Sequence, residues 1–493
     1  QTLVQQVDYA PFGPVTGWTY GNGRRLQRSL DASYRVQSVM DARPGGLALG
    51  YTYDAAGQLQ TLREGPAGRV LASYQYDGLG RVTQASNAKG EPVQQYRWDG
   101  TGNRTSSADD GGTLAYHYPA ASHRLQSAGQ DERSYDANGN TLSMGSHRMT
   151  YNAANRMDAV YQGDTLQERY SYNHLGERIL REPADGTAVQ TLYDEQGHWV
   201  GDYAADGGPI KQAIWLDDYP VALLGPQTQA ASLAYVEPDH LGTPRVVIDS
   251  ERDVAIWRWP LERDAFGAHA PEEDPDGDGV AYVLNLRFPG QQYTQATGLY
   301  YNYQRDLDAA TGRYVQSDPI GLAGGVSTYG YVGGNALATM DPEGLEGIGP
   351  WSFPPGPARD NYMKSLQGPR GPDFIEASAS LYFFQLSFAM SRSGRVFYSK
   401  GLARGYPNPV RGFGMSLDAG YLLNSCAGVD DMRAASDRFL TGLGYSASAG
   451  YGVSLGGAYS PGNGGAVKLG LGMGGQASPG SFAEATEWSV PGW

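Results

Sequence analysis

A single cysteine, Cys426, stands among the 493 residues, so no internal disulfide can form and no thiolate zinc site can be assembled. Charge is also scarce, at 18% of residues. A disordered chain would carry more charge and fewer aromatics, and a helical bundle or coiled coil would be built on Ala, Leu, Glu and Lys. No apolar run reaches the ~18 residues that a membrane helix requires. The opening residues, QTLVQQVDYAPFG, lack a signal-peptide layout and read as mid-repeat, as expected for a piece of a longer chain. Basic side chains number 37 against 52 acidic ones, and the net charge of −15 sets the chain as a whole against nucleic acid and anionic membranes. What abounds is Gly (69) and Tyr (35), the pairing that favours strands and the tight turns between them.

A repeat fills the first two-fifths of the chain. Its unit is aromatic-x-aromatic-Asp/Asn, then x-x-Gly, as in Tyr51-Thr52-Tyr53-Asp54-Ala55-Ala56-Gly57 and Tyr74-Gln75-Tyr76-Asp77-Gly78-Leu79-Gly80. It returns around Trp98-Asp99, Tyr135-Asp136, Tyr151-Asn152, Tyr172-Asn173 and Tyr193-Asp194. Alternation places both aromatics of a unit on one strand face. Asp or Asn opens a turn through its own side chain, and Gly supplies the positive φ. One hairpin is only marginally stable, so the units must join edge to edge. The expected fold is all-β: a long antiparallel ribbon that coils, with one face lined by aromatics.

These repeats resemble the YD repeats of the Rhs family of bacterial polymorphic toxins. The resemblance extends through Asp239-His240-Leu241-Gly242-Thr243-Pro244-Arg245, Arg287-Phe288-Pro289-Gly290-Gln291-Gln292 and Thr297-Gly298-Leu299-Tyr300-Tyr301-Asn302-Tyr303-Gln304-Arg305. It is most specific in Gly312-Arg313-Tyr314-Val315-Gln316-Ser317-Asp318-Pro319-Ile320-Gly321-Leu322 and ends at Asp341-Pro342-Glu343-Gly344-Leu345. The resemblance implies a YD-repeat shell over 1–235, a core-associated segment over 236–345 and a C-terminal toxin over 346–493. It further implies that the shell encloses the toxin and that the core segment cuts the chain at Leu345–Glu346. Implied partners are a cognate immunity protein and a secretion-apparatus spike or adaptor, joined through an N-terminal region missing here. Delivery from the bacterial cytoplasm into a target cell, by type VI secretion, completes that picture.

Two carboxylates sharing a proton can activate water against a peptide bond. Asp318 and Asp341, in matching DPxGL contexts, are the candidates, with Arg313 placed to hold or orient one of them. Pro after each Asp biases its backbone to extended conformations, and Gly321 and Gly344 permit sharp turns or close approach. An Asp-Pro-x-Gly segment is equally what a β-turn asks for. Asp341 has two readings, second member of the pair or part of the cleavage site. Asp274-Pro275-Asp276-Gly277-Asp278-Gly279 resembles half a calcium loop, but Asn285 stands where a bidentate Glu belongs, so it reads as an acidic surface insertion. The seven histidines show no ligand spacing, and no cofactor or metal is expected.

Composition shifts after Leu345. Residues 346–493 hold 11 basic and 10 acidic side chains, against 26 and 42 before them. A linker rich in Pro and Gly, 347–357, opens this part. The tail contains no histidine, which excludes His-metal nucleases, zinc deaminases and Cys-His or Ser-His centres. Cys426, without a His partner, reads as a small buried hydrophobe. Period-two patterning runs through Phe384–Met390, Phe413–Tyr421, Ala447–Leu455 and Val467–Met473. A short helix is expected over Asp431–Leu440. Segments of about ten residues with one apolar face suit membrane hairpins, and a soluble sandwich or small barrel uses the same alternation. A membrane-active, pore-forming toxin is therefore the leading expectation. The alternatives are a histidine-free enzyme acting on NAD or a glycan, and an adhesive or carbohydrate-binding YD-repeat surface protein.

Overall fold

The computed structural model describes residues 2–349, apart from residues 12, 121 and 226–231, and then the strands lying within 374–489. The chain divides into two units, Gln1–Met363 and Lys364–Trp493. No α-helix occurs among the described residues. The helix expected over 431–440, Cys426 and most of the linker lie outside the described residues.

The first unit is dominated by a 25-stranded antiparallel sheet, from β1 (Val4–Tyr9) to β25 (Ala255–Arg258). Every strand pairs with the next in sequence. The turn chemistry is that of the repeat. Asp54 Oδ1 accepts from the backbone N–H of Ala56 and Gln58, each at 2.9 Å, and Gly57 takes φ +81°. Asp77, Asp99, Asn173 and Asp194 repeat the arrangement.

The two aromatics of a unit divide the work. The first is buried, as are Tyr51, Tyr74 and Tyr96. The second reaches back across the preceding hairpin to a backbone carbonyl: Tyr53 to Val36, Tyr76 to Leu59 and Tyr172 to Met157, each at 2.7 Å. Trp98 does the same to Val82 and Trp215 to Trp199, through their indole N–H. Each bond satisfies a carbonyl at the strand margin and ties one unit to the one before it.

The sheet runs on past residue 235 without a break. In β23 (Leu233–Pro238) and β24 (Pro244–Asp249) every residue is buried, so the half-buried alternation of the repeats gives way to continuous burial. Residues 284–345 then pack onto the same hydrophobic core through Leu284, Phe288, Leu307, Tyr331 and Leu337. They carry a four-stranded sheet of β26 (Gln292–Thr294), β27 (Leu299–Asn302), β28 (Arg305–Asp308) and β29 (Arg313–Tyr314). Residues at the margin of the large sheet bond to this segment: Thr141 N–H bonds Val315 O, Gly139 O accepts from Tyr329 and His240 bonds Leu337 O.

The second unit is a seven-stranded antiparallel sheet: β30 (Phe374–Leu381), β31 (Phe384–Ser391), β32 (Arg395–Leu402), β33 (Arg404–Gly405), β34 (Phe413–Leu422), β35 (Leu443–Ser460) and β36 (Gly464–Ser489). Four of these coincide with the alternating segments read from sequence. Pairing passes from β32 through β31, β30 and β34 to β36, and β36 pairs back with β32, so these strands close a ring.

Candidate active site

Asp318 and Asp341 come together in the first unit through one cation, Arg305 at the start of β28. Its Nη1 lies 2.8 Å from Asp318 Oδ2 and its Nη2 lies 3.4 Å from Asp341 Oδ2. The same side chain donates from Nε to the carbonyl of Gly344 at 2.5 Å. All three residues are buried. A buried guanidinium between two carboxylates balances charges that could not otherwise share a dry site.

The loop Asp341-Pro342-Glu343-Gly344-Leu345 folds back on its own first residue. Asp341 Oδ1 accepts from the N–H of Leu345 at 2.9 Å and of Glu346 at 3.1 Å. Gly344 permits this fold: its φ is +65°, and a Cβ there would lie 2.2 Å from the carbonyl oxygen of Asn302. The other oxygen, Oδ2, accepts from the Tyr314 hydroxyl at 2.7 Å. Four donors thus converge on Asp341: two backbone amides, a phenol and a guanidinium.

Asp318 occupies the other side of the Leu345–Glu346 bond. Its Oδ1 accepts from Ile320 N–H at 2.9 Å. Its Oδ2 and the carbonyl oxygen of Leu345 both press on Gly324: a Cβ built there would lie 2.3 Å from the first and 2.6 Å from the second. The two oxygens are therefore no farther apart than those distances laid end to end. Burial pushes the Asp318 carboxyl above its ordinary pKa; Arg305 pulls it back, and the Asp341 charge adds to the rise.

Arg313 requires a correction. Its guanidinium donates to Asn103 Oδ1 at 3.1 Å and to the carbonyl of His123, and it touches neither aspartate. Arg313 and Tyr314 are neighbours on β29, so their side chains point to opposite faces. Because Tyr314 faces Asp341, Arg313 faces the large sheet. Arg305 takes the role, and no sequence spacing marked it, since it sits far from both carboxylates along the chain.

The acidic insertion brings carboxylate oxygens of Asp274, Asp276 and Asp278 within 4.8 Å of one another. Arg252 bonds Asp276 at 2.8 Å and Asp278 at 2.6 Å, so a cationic side chain of the protein's own already sits among them.

A family model described as the teneurin YD-shell matches residues 47–322. Toxin protein Tse5 of Pseudomonas aeruginosa is 28% identical over 334 residues, 54% of this chain and 25% of its own length. Double-stranded DNA deaminase toxin A of Burkholderia cenocepacia is 27% identical over 370 residues, 67% of this chain and 24% of its own length. The chain thus spans about a quarter of these curated relatives. Among solved structures, TcdB2-TccC3 without its hypervariable C-terminal region shares the fold, with a TM-score of 0.56 at 20% identity over 70% of this chain and 19% of that one.

Proposed function

The chain belongs to the teneurin YD-shell family, and on that premise we propose that it works as an Rhs-type polymorphic toxin whose shell cuts its own chain between Leu345 and Glu346. One observation carries the reading: Asp341 bonds the amide N–H of Glu346 while Asp318 lies beside the carbonyl of Leu345. The carboxylates flank the two ends of one peptide bond, as general acid–base hydrolysis requires. Asp318, whose pKa burial raises, is the carboxyl readier to take up a proton, and once protonated it gives that proton to the Leu345 oxygen. Asp341 takes a proton from the attacking water and passes it to the Glu346 nitrogen as the C–N bond breaks. Asp318 recovers its own proton on collapse, and the products are a Leu345 carboxylate and a free Glu346 amine.

The test is intact mass. The 53.0 kDa chain should resolve into two pieces meeting at Leu345–Glu346, and Asp318→Asn should leave it whole. An uncut parent chain would overturn the proposal and raise the adhesive reading in its place.

The released cargo, in this proposal, is membrane-active. Its β35 and β36 hairpin has strands of 18 and 26 residues, longer than the ~10 that a tilted strand needs to cross a bilayer. The ring gives β30, β31, β32, β34 and β36 two neighbours each, the arrangement that hydrocarbon demands of a sheet, while β35 pairs with β36 alone. The deaminase chemistry in one relative's name is not carried over, because residues 346–493 contain no histidine. Dye release from liposomes by the cleaved protein tests this part, and intact vesicles at micromolar protein would favour the enzymatic alternative. An immunity protein in the producer and delivery by type VI secretion complete the proposal.

A further inference from the structure

Tyr314 lies beneath Arg305, whose guanidinium carbon is 3.7 Å from the ring centre. Asn302 Nδ2 donates to the phenol oxygen at 2.7 Å. An amide nitrogen only donates, so this bond turns the phenol hydrogen away from Asn302 and towards Asp341 Oδ2, also at 2.7 Å. The three residues sit on neighbouring strands, β27, β28 and β29, and each is buried. Asn302 also contributes its carbonyl to the floor under Gly344, so one residue supports both the loop and the phenol. Burial and the nearby Asp341 charge keep the phenol pKa well above its ordinary value, so the hydroxyl remains a donor.

We propose that Tyr314, oriented by Asn302, is a positioning residue of the self-cleavage centre: it binds Asp341 through Oδ2 and so leaves Oδ1 directed at the Glu346 amide. The proposal rests on the self-cleavage reading above. A carboxylate pivots about one bond, so fixing one oxygen fixes the other. The backbone donors of Leu345 and Glu346 lie on the very loop that must come apart, and they cannot hold Asp341 once the bond strains. Arg305 reaches Asp341 only at 3.4 Å and makes its shorter ion pair with Asp318, at 2.8 Å. Tyr314 is thus the short, permanent contact. A hydroxyl donor binds a carboxylate more strongly than a neutral acid, so its loss bears on the acid limb of a reaction that needs the carboxylate.

The test uses the 493-residue chain, synthesised cell-free, collected uncut in guanidinium and diluted into buffers from about pH 4 to pH 8. The split is followed on gels, and protease resistance reports folding. Tyr314→Phe should displace the acid limb of the rate profile upward by about one pH unit, slowing cleavage about tenfold within that limb. Asn302→Ala should move it in the same direction by less. A folded Tyr314→Phe with the parent's profile overturns the relay while leaving self-cleavage intact. A parent chain that never splits overturns the self-cleavage reading and the relay with it. Should Tyr314→Phe fail to fold, Asn302→Ala decides: a displaced limb supports the relay, and an unmoved one overturns it.

Discussion

Replacing Gly324 by alanine separates the chemistry of the centre from the stability of the fold. Gly324 does not adopt a left-handed φ, so its backbone accepts a side chain without strain. Its loop is well exposed, with Leu322 at 73%, so most of the strain should stay within the loop, at a global cost of about 1–3 kcal/mol. Locally the change is severe. The new methyl would stand 2.3 Å from Asp318 Oδ2 and 2.6 Å from the Leu345 carbonyl oxygen. Carbon and oxygen rest at roughly 3.4 Å, so carboxylate, carbonyl or loop must retreat by about 1 Å. Asp318 can swing, but the Leu345 carbonyl is backbone and is anchored through the Leu345 N–H on Asp341. A misplacement of that size costs about a hundredfold in rate, or about 2.7 kcal/mol of barrier. Time-resolved intact mass would measure it, with thermal melts of the variant beside the parent. Cleavage at the parent's rate in a normally folded Gly324→Ala protein would show that Asp318 and the Leu345 carbonyl are not held against this loop, and the proposed division of roles would fall.

Two further predictions concern titration. His198 stacks on Trp215 at 4.5 Å, with Nδ1 2.9 Å from Asp194 and Nε2 3.3 Å from Asp218. Burial lowers its pKa, but the two carboxylates outweigh burial and leave it raised. Its stabilisation is complete below the unfolded value near ~6.5 and is lost as pH rises through the folded one. His198→Gln should therefore cost about 1 kcal/mol in urea melts near pH 5.5 and little near pH 8.5; equal costs would refute the double ion pair. Glu237 loses stability in the same direction for another reason: burial, then the Asp41 carboxyl, drive its pKa well above its ordinary value. Folding then binds a proton, and stability declines as pH climbs from the unfolded value near ~4.3. Glu237→Gln retains an acceptor for the Leu47 N–H, now 2.6 Å from Glu237 Oε2, and should raise Tm by about 3 °C near pH 8 but not near pH 4. An unchanged Tm at both values would count against burial having raised the Glu237 carboxyl.

Much of this architecture was legible because its rules are local. Tyr-x-Tyr-Asp-x-x-Gly states a strand face, a turn and a positive φ within seven residues, and β5 (Ala48–Tyr53), with the turn at Asp54 to Gly57, shows each part in place. A further signal was present in the letters: the second aromatic of these units is always Tyr or Trp, never Phe. That restriction marks the hydrogen bond each one donates across the hairpin. The two aspartates were readable from their matched contexts. Their counter-ion was not, since Arg305 reaches them only after β27, β28 and β29 assemble, and a pairing made across strands leaves no spacing in sequence. Arg313 stands nearer to Asp318 along the chain, yet strand alternation next to Tyr314 turns it the other way.

The strictly sequential pairing of the large sheet has a consequence for synthesis. Each strand needs only its predecessor, so every hairpin can form as soon as it leaves the ribosome, without waiting for distant partners. The residues of the proposed cleavage centre, from Asn302 to Glu346, are likewise complete before residues 347–493 are made. At about 10 residues per second, those take roughly 15 s to translate. The order of translation is thus the order of assembly, with the walls laid down first, the proposed blade second and its proposed cargo last.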